Sequence, residues 1–257
     1  LCFRNKKIIL KFMYSIHTTL FAAHNGAKAL MHFRNNTSDQ NTILSIFEHD
    51  EYLTKDIPLK DGDVVIDIGS HIGAFPVMLS ALGLKLGVYC YEPIPENYQL
   101  LFKNLEDNDL QDFGYCWEKA VVGMSRAGVK IYYGDDSFDG RAHKFIGSPV
   151  FDPNYKSERK FCVADTITLE QIFKDNKIAR CKLLKIDCEG FEGEIFEKAP
   201  PEILDKIDYI VGEHHGNFDA KGMHPREYLL KCFGDNFEDI TTKKSESNQG
   251  EFLFKHK

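Results

Sequence analysis

From residue 61 onward the chain alternates between short, unbroken apolar runs and longer stretches whose apolar residues return every three or four positions. The first pattern marks strands buried on both faces, and the second marks amphipathic helices. "DVVIDIG" (63–69) reads as a strand, and "AFPVMLSALG" (74–83) as a helix that tolerates Pro76 in its first turn. "GVYCYEP" (87–93) is the next strand. In "PENYQLLFKNLEDND" (95–109), Tyr98, Leu101, Phe102 and Leu105 share one helical face. "FGYCWEKAVVG" (113–123) reads as a third strand.

Residues 124–160 lose this rhythm. A strand, "VKIYYG", precedes a stretch rich in Gly, Asp, Ser and Pro, which is expected to form an irregular insertion or lid on the sheet rim. Its aromatic residues Tyr132, Tyr133, Phe138, Phe145 and Phe151 could stack on an acceptor, but lid packing is the simpler expectation. The rhythm resumes with "KFCVADTI" and a helix that Thr168 can cap, with Gln171 placed three residues later as in a capping box. "CKLLKIDCEGFEGEIFEKAP" predicts strand, loop and helix, and "IDYIVGEHHG" another strand. "HPREYLLKCFG" predicts a helix stopped at Gly234. Residues 237–257 predict two strands around a polar turn.

Alternating strands and helices imply an α/β fold with a doubly wound, mostly parallel sheet. A closing strand pair requires at least one antiparallel strand. Residues 1–60 are expected to be a mostly helical lead-in, because Ile8, Ile9, Phe12 and Ile16 return at near-helical spacing. The main domain is then 61–257. Residues 1–45 and 124–160 are expected to shape an acceptor pocket.

Composition narrows the class. The chain has 257 residues, enough for one substantial core, with 43% hydrophobic and 28% charged residues, as in an ordinary globular protein. The net charge of −7 argues against a nucleic-acid partner, whose binding draws on basic surface. Seven cysteines without a C-x-x-C pair fit free thiols in a reducing, cytoplasmic setting and offer no structural zinc site. Residues 12–27 and 68–84 lack Asp, Glu, Lys and Arg, but polar residues, glycines and a proline break both, so no membrane span is expected. Arg4, Lys6 and Lys7 before an apolar run resemble a signal peptide, yet Lys11 interrupts that run. The absence of an initial Met points to a start that is missing or altered.

Three clusters carry chemistry. Asp67-Ile68-Gly69-Ser70-His71-Ile72-Gly73 ends a strand in an acid and then glycines, which permits a tight turn and close approach of a ligand. Glu92 ends the following strand, where an acid can accept hydrogen bonds from ribose hydroxyls. Lys185-Ile186-Asp187-Cys188-Glu189-Gly190-Phe191-Glu192 places four charged groups at a strand's carboxyl end, a costly arrangement unless they face a ligand or one another.

The segments "VVIDIGSHIGAF", "YEPIPENYQLLFKNL", "TLEQIF" and "LLKIDCEGFEGEIF" resemble the successive motifs of the FkbM methyltransferase family over roughly residues 45–215. Ser70 and His71 stand where the family loop has a small residue and Asn, and Cys188 where Val is usual. The resemblance implies a seven-stranded class I methyltransferase (Rossmann-like) sheet, S-adenosylmethionine as cofactor, and methylation of a hydroxyl on a sugar, glycan or natural product. It also implies cofactor contacts from Asp67, Gly69, Ser70, His71, Gly73, Glu92, Pro93 and Asp187, with Glu118 and Ala120 near the adenine.

Asp187 is the first candidate for a base or an acid that orients the acceptor. Glu189 is second, followed by Glu213 or His214. These acids and histidines, with His215, could ligate a metal, but their spacing matches no metal motif and none is expected. Two rival readings are a NAD-dependent oxidoreductase, which needs a tighter glycine fingerprint, and a non-catalytic interaction protein that retains the fold. Oligomeric state is not encoded in any recognisable pattern.

Overall fold

The computed structural model describes residues 15–110, 114–133, 160–215, 221–242, 247 and 249–257. Ile8, Ile9 and Phe12 of the expected helical lead-in, and Phe138, Phe145 and Phe151 of the insertion, lie outside them.

The described part of the lead-in is not mostly helical. Strands β1 (Ile16–Ala22) and β2 (Lys28–Arg34) form an antiparallel hairpin. Its turn is built on Asn25-Gly26, with Gly26 at φ 84° and its N–H donating to the Ala23 carbonyl. An Asn-Gly pair between apolar runs is a strong hairpin signal, and here it overrides the weak helical spacing around Ile16. Ala29, Met31 and Phe33 alternate along β2 and enter the core, so the true period is two. Helix α1 (Asp39–Phe47) follows.

The central sheet takes its strands in chain order from β3 (Val64–Ile68), β4 (Gly87–Tyr91), β5 (Gly114–Trp117), β9 (Cys181–Ile186), β10 (Ile207–His214), β11 (Phe237–Asp239) and β12 (Gly250–His256). Between β5 and β9 lie β6 (Lys119–Val121), β7 (Val129–Tyr133) and β8 (Lys160–Ile167), which form a separate three-stranded sheet in the order β6-β8-β7. The run 113–123, read from the sequence as one strand, therefore divides at the exposed Glu118 and serves two sheets.

The seven-stranded order is β11-β12-β10-β9-β3-β4-β5. The five strands from β10 to β5 run parallel, and β12 is antiparallel to both neighbours. This is the expected mostly parallel sheet with an antiparallel C-terminal pair. Val65, Val88, Leu183 and Val211 point to one face, under the hairpin, α1, α2 (Ala74–Ala81) and α3 (Pro95–Asp107). Ile66, Leu184, Ile210 and Phe252 point to the other, under α4 (Leu169–Asp175), α5 (Glu192–Lys198), α6 (Pro201–Leu204) and α7 (Pro225–Cys232). Each such side chain fully buried contributes about 1.5–3 kcal/mol. The Thr168 side chain accepts from the Gln171 N–H at 3.2 Å, so the cap is made as the sequence predicts.

The chain runs from β3 outward to β4 and β5, then returns to build β9 and β10 on the opposite side. The carboxyl ends of β3 and β9 flank this switch point, where open α/β sheets bind ligands. The six described cysteines are free thiols. Among the described residues no helix is long and apolar enough to cross a membrane.

Candidate active site

A cleft with about 1070 Å³ of space, part of it open to solvent, lies over these strand ends. Gly69, Ser70, Glu92, Pro93, Ala120 and Asp187 line it. The loop after β3 is held closed by its own polar groups. Gly69 and Ser70 donate their N–H groups to the Tyr91 carbonyl at 3.0 and 3.1 Å, and the Ser70 hydroxyl donates to the Asp67 carbonyl at 2.9 Å. Gly69 has φ 75°, and a Cβ there would lie 1.8 Å from the Asp187 carbonyl oxygen. The glycine is required because the loop after β9 passes directly against it.

Glu92 is 3% exposed. Its Oε2 accepts the His71 N–H at 2.9 Å, while Oε1 accepts the Ile94 N–H at 2.9 Å and the Asn97 amide at 3.2 Å. A carboxylate has about four acceptor positions, so protein donors occupy three and one remains. Burial pushes its pKa up, against the pull of His71 and these hydrogen bonds. Glu92 thus clamps the glycine loop and can offer a ligand one further acceptor.

His71 has φ 51° and reaches back to the lead-in. Its Nε2 is 3.2 Å from Arg34 Nη2 and 3.4 Å from Asp39 Oδ1. Arg34 donates through Nε and Nη2 to both Asp39 oxygens at 2.8 Å, with both side chains essentially buried. Burial alone would raise the Asp39 pKa, but hydrogen bonds and charge from His71 and Arg34 outweigh it and hold the carboxyl far below the usual range. The hairpin and α1 are thereby tied to the candidate ligand loop.

Below the cleft, Lys185 Nζ meets Asp67 Oδ1 at 3.1 Å and donates to the Gly69 carbonyl at 2.7 Å. Asp67 is fully buried and does not line the cleft. It acts on the loop through Lys185. Gly73 also stands back, capping α2 at φ 85° against Leu101, and Glu118 is exposed away from the cleft lining. The other expected cofactor residues, including His71, do line the cleft.

Beside the part of the cleft lined by Asp187 and Glu189, acids gather around an imidazole. The Tyr52 hydroxyl donates to Asp187 Oδ2 at 2.8 Å. His215 Nε2 lies 3.4 Å from Glu189 Oε2, 3.7 Å from Glu213 Oε2 and 3.9 Å from Asp187 Oδ1. His215 Nδ1 is 3.2 Å from Glu192 Oε1, which also accepts the Cys188 and Gly190 N–H groups. Burial and neighbouring acids, Asp187 foremost, raise Glu189 to about 8 and Glu51 to about 7. Burial would lower His215, but Glu192, Asp187 and Glu189 raise it to about 10.

Asp187 and Glu189 both approach His215, and His214 does not join them. It is fully buried on the opposite face of β10, its ring 5.1 Å from that of His224. Successive residues of a strand alternate faces, so the candidate Glu213 lies with the acids together with His215, and the candidate His214 points away. Tyr52 and Arg34 carry no motif that marks them. Strand geometry puts His215 on the face of Glu213 and His214 on the other, but the sequence of β10 does not mark which face meets the acids.

No curated protein sequence matches the chain. Among solved structures it is similar to an rRNA methylase from Streptococcus thermophilus, with 10% identity, 82% of this chain and 95% of that chain covered, and a TM-score of 0.45. It is also similar to precorrin-6y C5,15-methyltransferase from Geobacter metallireducens (13% identity, 86% and 90% covered, TM-score 0.43) and to M. jannaschii TYW2 in complex with AdoMet (12%, 95% and 89%, 0.42). Residues 67–242 match the family described as Methyltransferase FkbM domain, a span that runs from the acid of the glycine loop past both charged strand ends. With the switch-point cleft and the antiparallel closing strands, that match establishes that the chain belongs to the FkbM family of S-adenosylmethionine-dependent methyltransferases.

Proposed function

We propose that the protein methylates a hydroxyl oxygen of a small-molecule or glycan acceptor. The observation that carries this reading is a group of carboxylates, with Asp187 and Glu189 lining the cleft and Glu213 beside them around His215. When bound, S-adenosylmethionine supplies a methyl carbon on a sulfonium sulfur, which leaves with the electron pair of the broken bond. The residues of this chain fit such a ligand. Gly69, Ser70 and His71 form the loop floor, Glu92 keeps one acceptor position for a ribose hydroxyl, and Pro93 and Ala120 belong to the wall.

An alkyl hydroxyl is a weak nucleophile until it loses its proton. Glu189, which lines the cleft and is raised to about 8, exchanges protons near neutral pH, which suits general base work. Asp187, held by Tyr52, orients the acceptor oxygen. Alignment of oxygen and methyl can supply about 7–11 kcal/mol of the barrier reduction. The excess of acids disfavours phosphorylated acceptors and nucleic acids.

Titration with S-adenosylmethionine, S-adenosylhomocysteine and NAD, followed by transfer of a labelled methyl group to a panel of glycans and hydroxylated small molecules, tests this reading. Binding of the first two ligands, weakened in Glu92→Gln, and label recovered on oxygen are expected. Asp187→Asn should keep cofactor affinity within a few-fold and lower turnover by about 10²–10⁴-fold. Binding of NAD alone, or label on nitrogen or carbon only, would refute the proposal.

A further inference from the structure

Beside the cleft, next to Asp187 in its lining, the side chains have the geometry of a cation site. We propose that Asp187 Oδ1, Glu213 Oε2 and His215 Nε2 hold a divalent cation of the oxygen-preferring class, with Mn²⁺ as the best match. The chemistry assigned to it rests on the methyl-transfer reading, whereas the site rests on geometry.

A ligand atom from each of these three residues lies within 4.8 Å of those of the other two. Metal–ligand bonds of about 2.0–2.2 Å place two ligands of one ion about 3–4 Å apart, depending on the angle. His215 Nε2 lies 3.7 Å from Glu213 Oε2 and 3.9 Å from Asp187 Oδ1, inside that window and too far for hydrogen bonds.

The other polar atom of each ligand is held from outside the trio. Tyr52 donates to Asp187 Oδ2 at 2.8 Å, Gln249 donates to Glu213 Oε1 at 2.8 Å, and Glu192 Oε1 is 3.2 Å from His215 Nδ1. A carboxylate on the far nitrogen of a histidine fixes the ring so that the near nitrogen faces the ion, as in built metal sites. The surrounding acids, Glu189 nearest at 3.4 Å, hold a proton on His215 Nε2, and a bound cation takes that proton's place, so binding releases it. Glu192 is fully buried, and its Oε2 lacks a hydrogen-bond partner. Asp187 and Glu213 end adjacent parallel strands, which fixes their separation.

Access and charge agree. The His215 side chain is 8% exposed, but those of Asp187 and Glu213 are 23% and 27% exposed, leaving an open side for a hydrated ion and an acceptor. The Lys185 ammonium, on the same strand end as Asp187, is already committed to Asp67. Two carboxylates and one imidazole suit Mn²⁺ better than the softer Cu²⁺, while Mg²⁺ favours oxygen ligands alone. The cation would polarise the acceptor hydroxyl. The hydroxyl proton passes to Glu189 as the oxygen–methyl bond forms and the carbon–sulfur bond breaks with its pair on sulfur.

The test is an electron paramagnetic resonance titration of the chelator-stripped full chain with Mn²⁺, with Mg²⁺ and Zn²⁺ as competitors. Wild type, His215→Gln and Glu213→Gln are compared, with S-adenosylmethionine affinity and thermal melting measured for each. One Mn²⁺ per chain is expected, bound at least about tenfold more weakly by folded variants whose cofactor affinity is retained. Electron spin echo modulation of the wild-type complex should show coupling to an imidazole nitrogen, a readout that needs no variant. Cofactor binding without Mn²⁺ binding, unchanged Mn²⁺ affinity in both variants, or no nitrogen coupling would overturn the site while leaving methyl transfer intact. Mn²⁺ binding without cofactor binding would uphold the site and overturn the methyl-transfer reading.

Discussion

Gly69→Ala tests the packing of the two loops that form the cleft. Two costs arise. At φ 75° an L-residue sits in the left-handed region, a penalty of about 1–2 kcal/mol. The new Cβ would also lie 1.8 Å from the Asp187 carbonyl oxygen and 2.8 Å from its carbon. Restoring even 3.0 Å to the first contact needs the ends of β3 and β9 to part by about 1.2 Å. Neither can retreat easily, because the Asp187 N–H donates to the Ile68 carbonyl at 3.0 Å. Overpacking of this kind costs about 1–3 kcal/mol, for a total of about 2–5 kcal/mol. Gly83→Ala is the matched control, since Gly83 has φ 80° and nothing within 4 Å of its Cβ position. It should lose only the left-handed penalty. Chemical denaturation of both variants and calorimetric titration with S-adenosylmethionine give the comparison. Gly69→Ala should be the less stable by about 1–3 kcal/mol and should bind the cofactor at least about tenfold more weakly. Equal stabilities with intact cofactor binding would refute the argument that close approach dictates this glycine.

Further outcomes follow from other parts of the structure. Asp39→Asn strands the buried Arg34 charge and should cost about 3–5 kcal/mol. Because the folded state holds Asp39 below its ordinary pKa of 3.8, its stabilisation is present above that value and is lost as pH falls through and below it. Melting temperature should thus decline less steeply between about pH 5 and pH 2 in the variant than in the parent, and parallel curves would contradict the assignment. Tyr52→Phe removes the donor to Asp187 Oδ2 and, at about 1.5–3 kcal/mol for a bond to a charged group, should lower kcat by about tenfold or more. An unchanged kcat would remove Tyr52 from acceptor positioning. Thr168→Ala deletes a helix cap and should cost about 1 kcal/mol in denaturant titrations without altering cofactor affinity.

The strands β3, β4, β9 and β10, the helices between them and the Thr168 cap were legible because each depends on residues within one element or one turn of it. The glycine loop and its acids were legible for the same reason, since Asp67, Gly69 and Glu92 mark consecutive strand ends. The hairpin was also written locally, in Asn25-Gly26 and the period-two run of β2, although spacing around Ile16 pointed elsewhere. Tertiary structure alone decided which of these groups meet. Tyr52 reaches Asp187 across 135 positions, and Arg34 reaches His71 across 37, contacts that no local periodicity encodes. It also decided that Asp67 and Gly73 support the loop from behind while Ala120 lines the cleft. The choice of His215 over His214 shows why. A parallel strand buried on both faces carries no alternation of polar and apolar residues, so β10 does not reveal which face will meet the acids. That is settled by its register against β9 and β12, which sets Glu213 and His215 beside Asp187 and turns His214 toward α7.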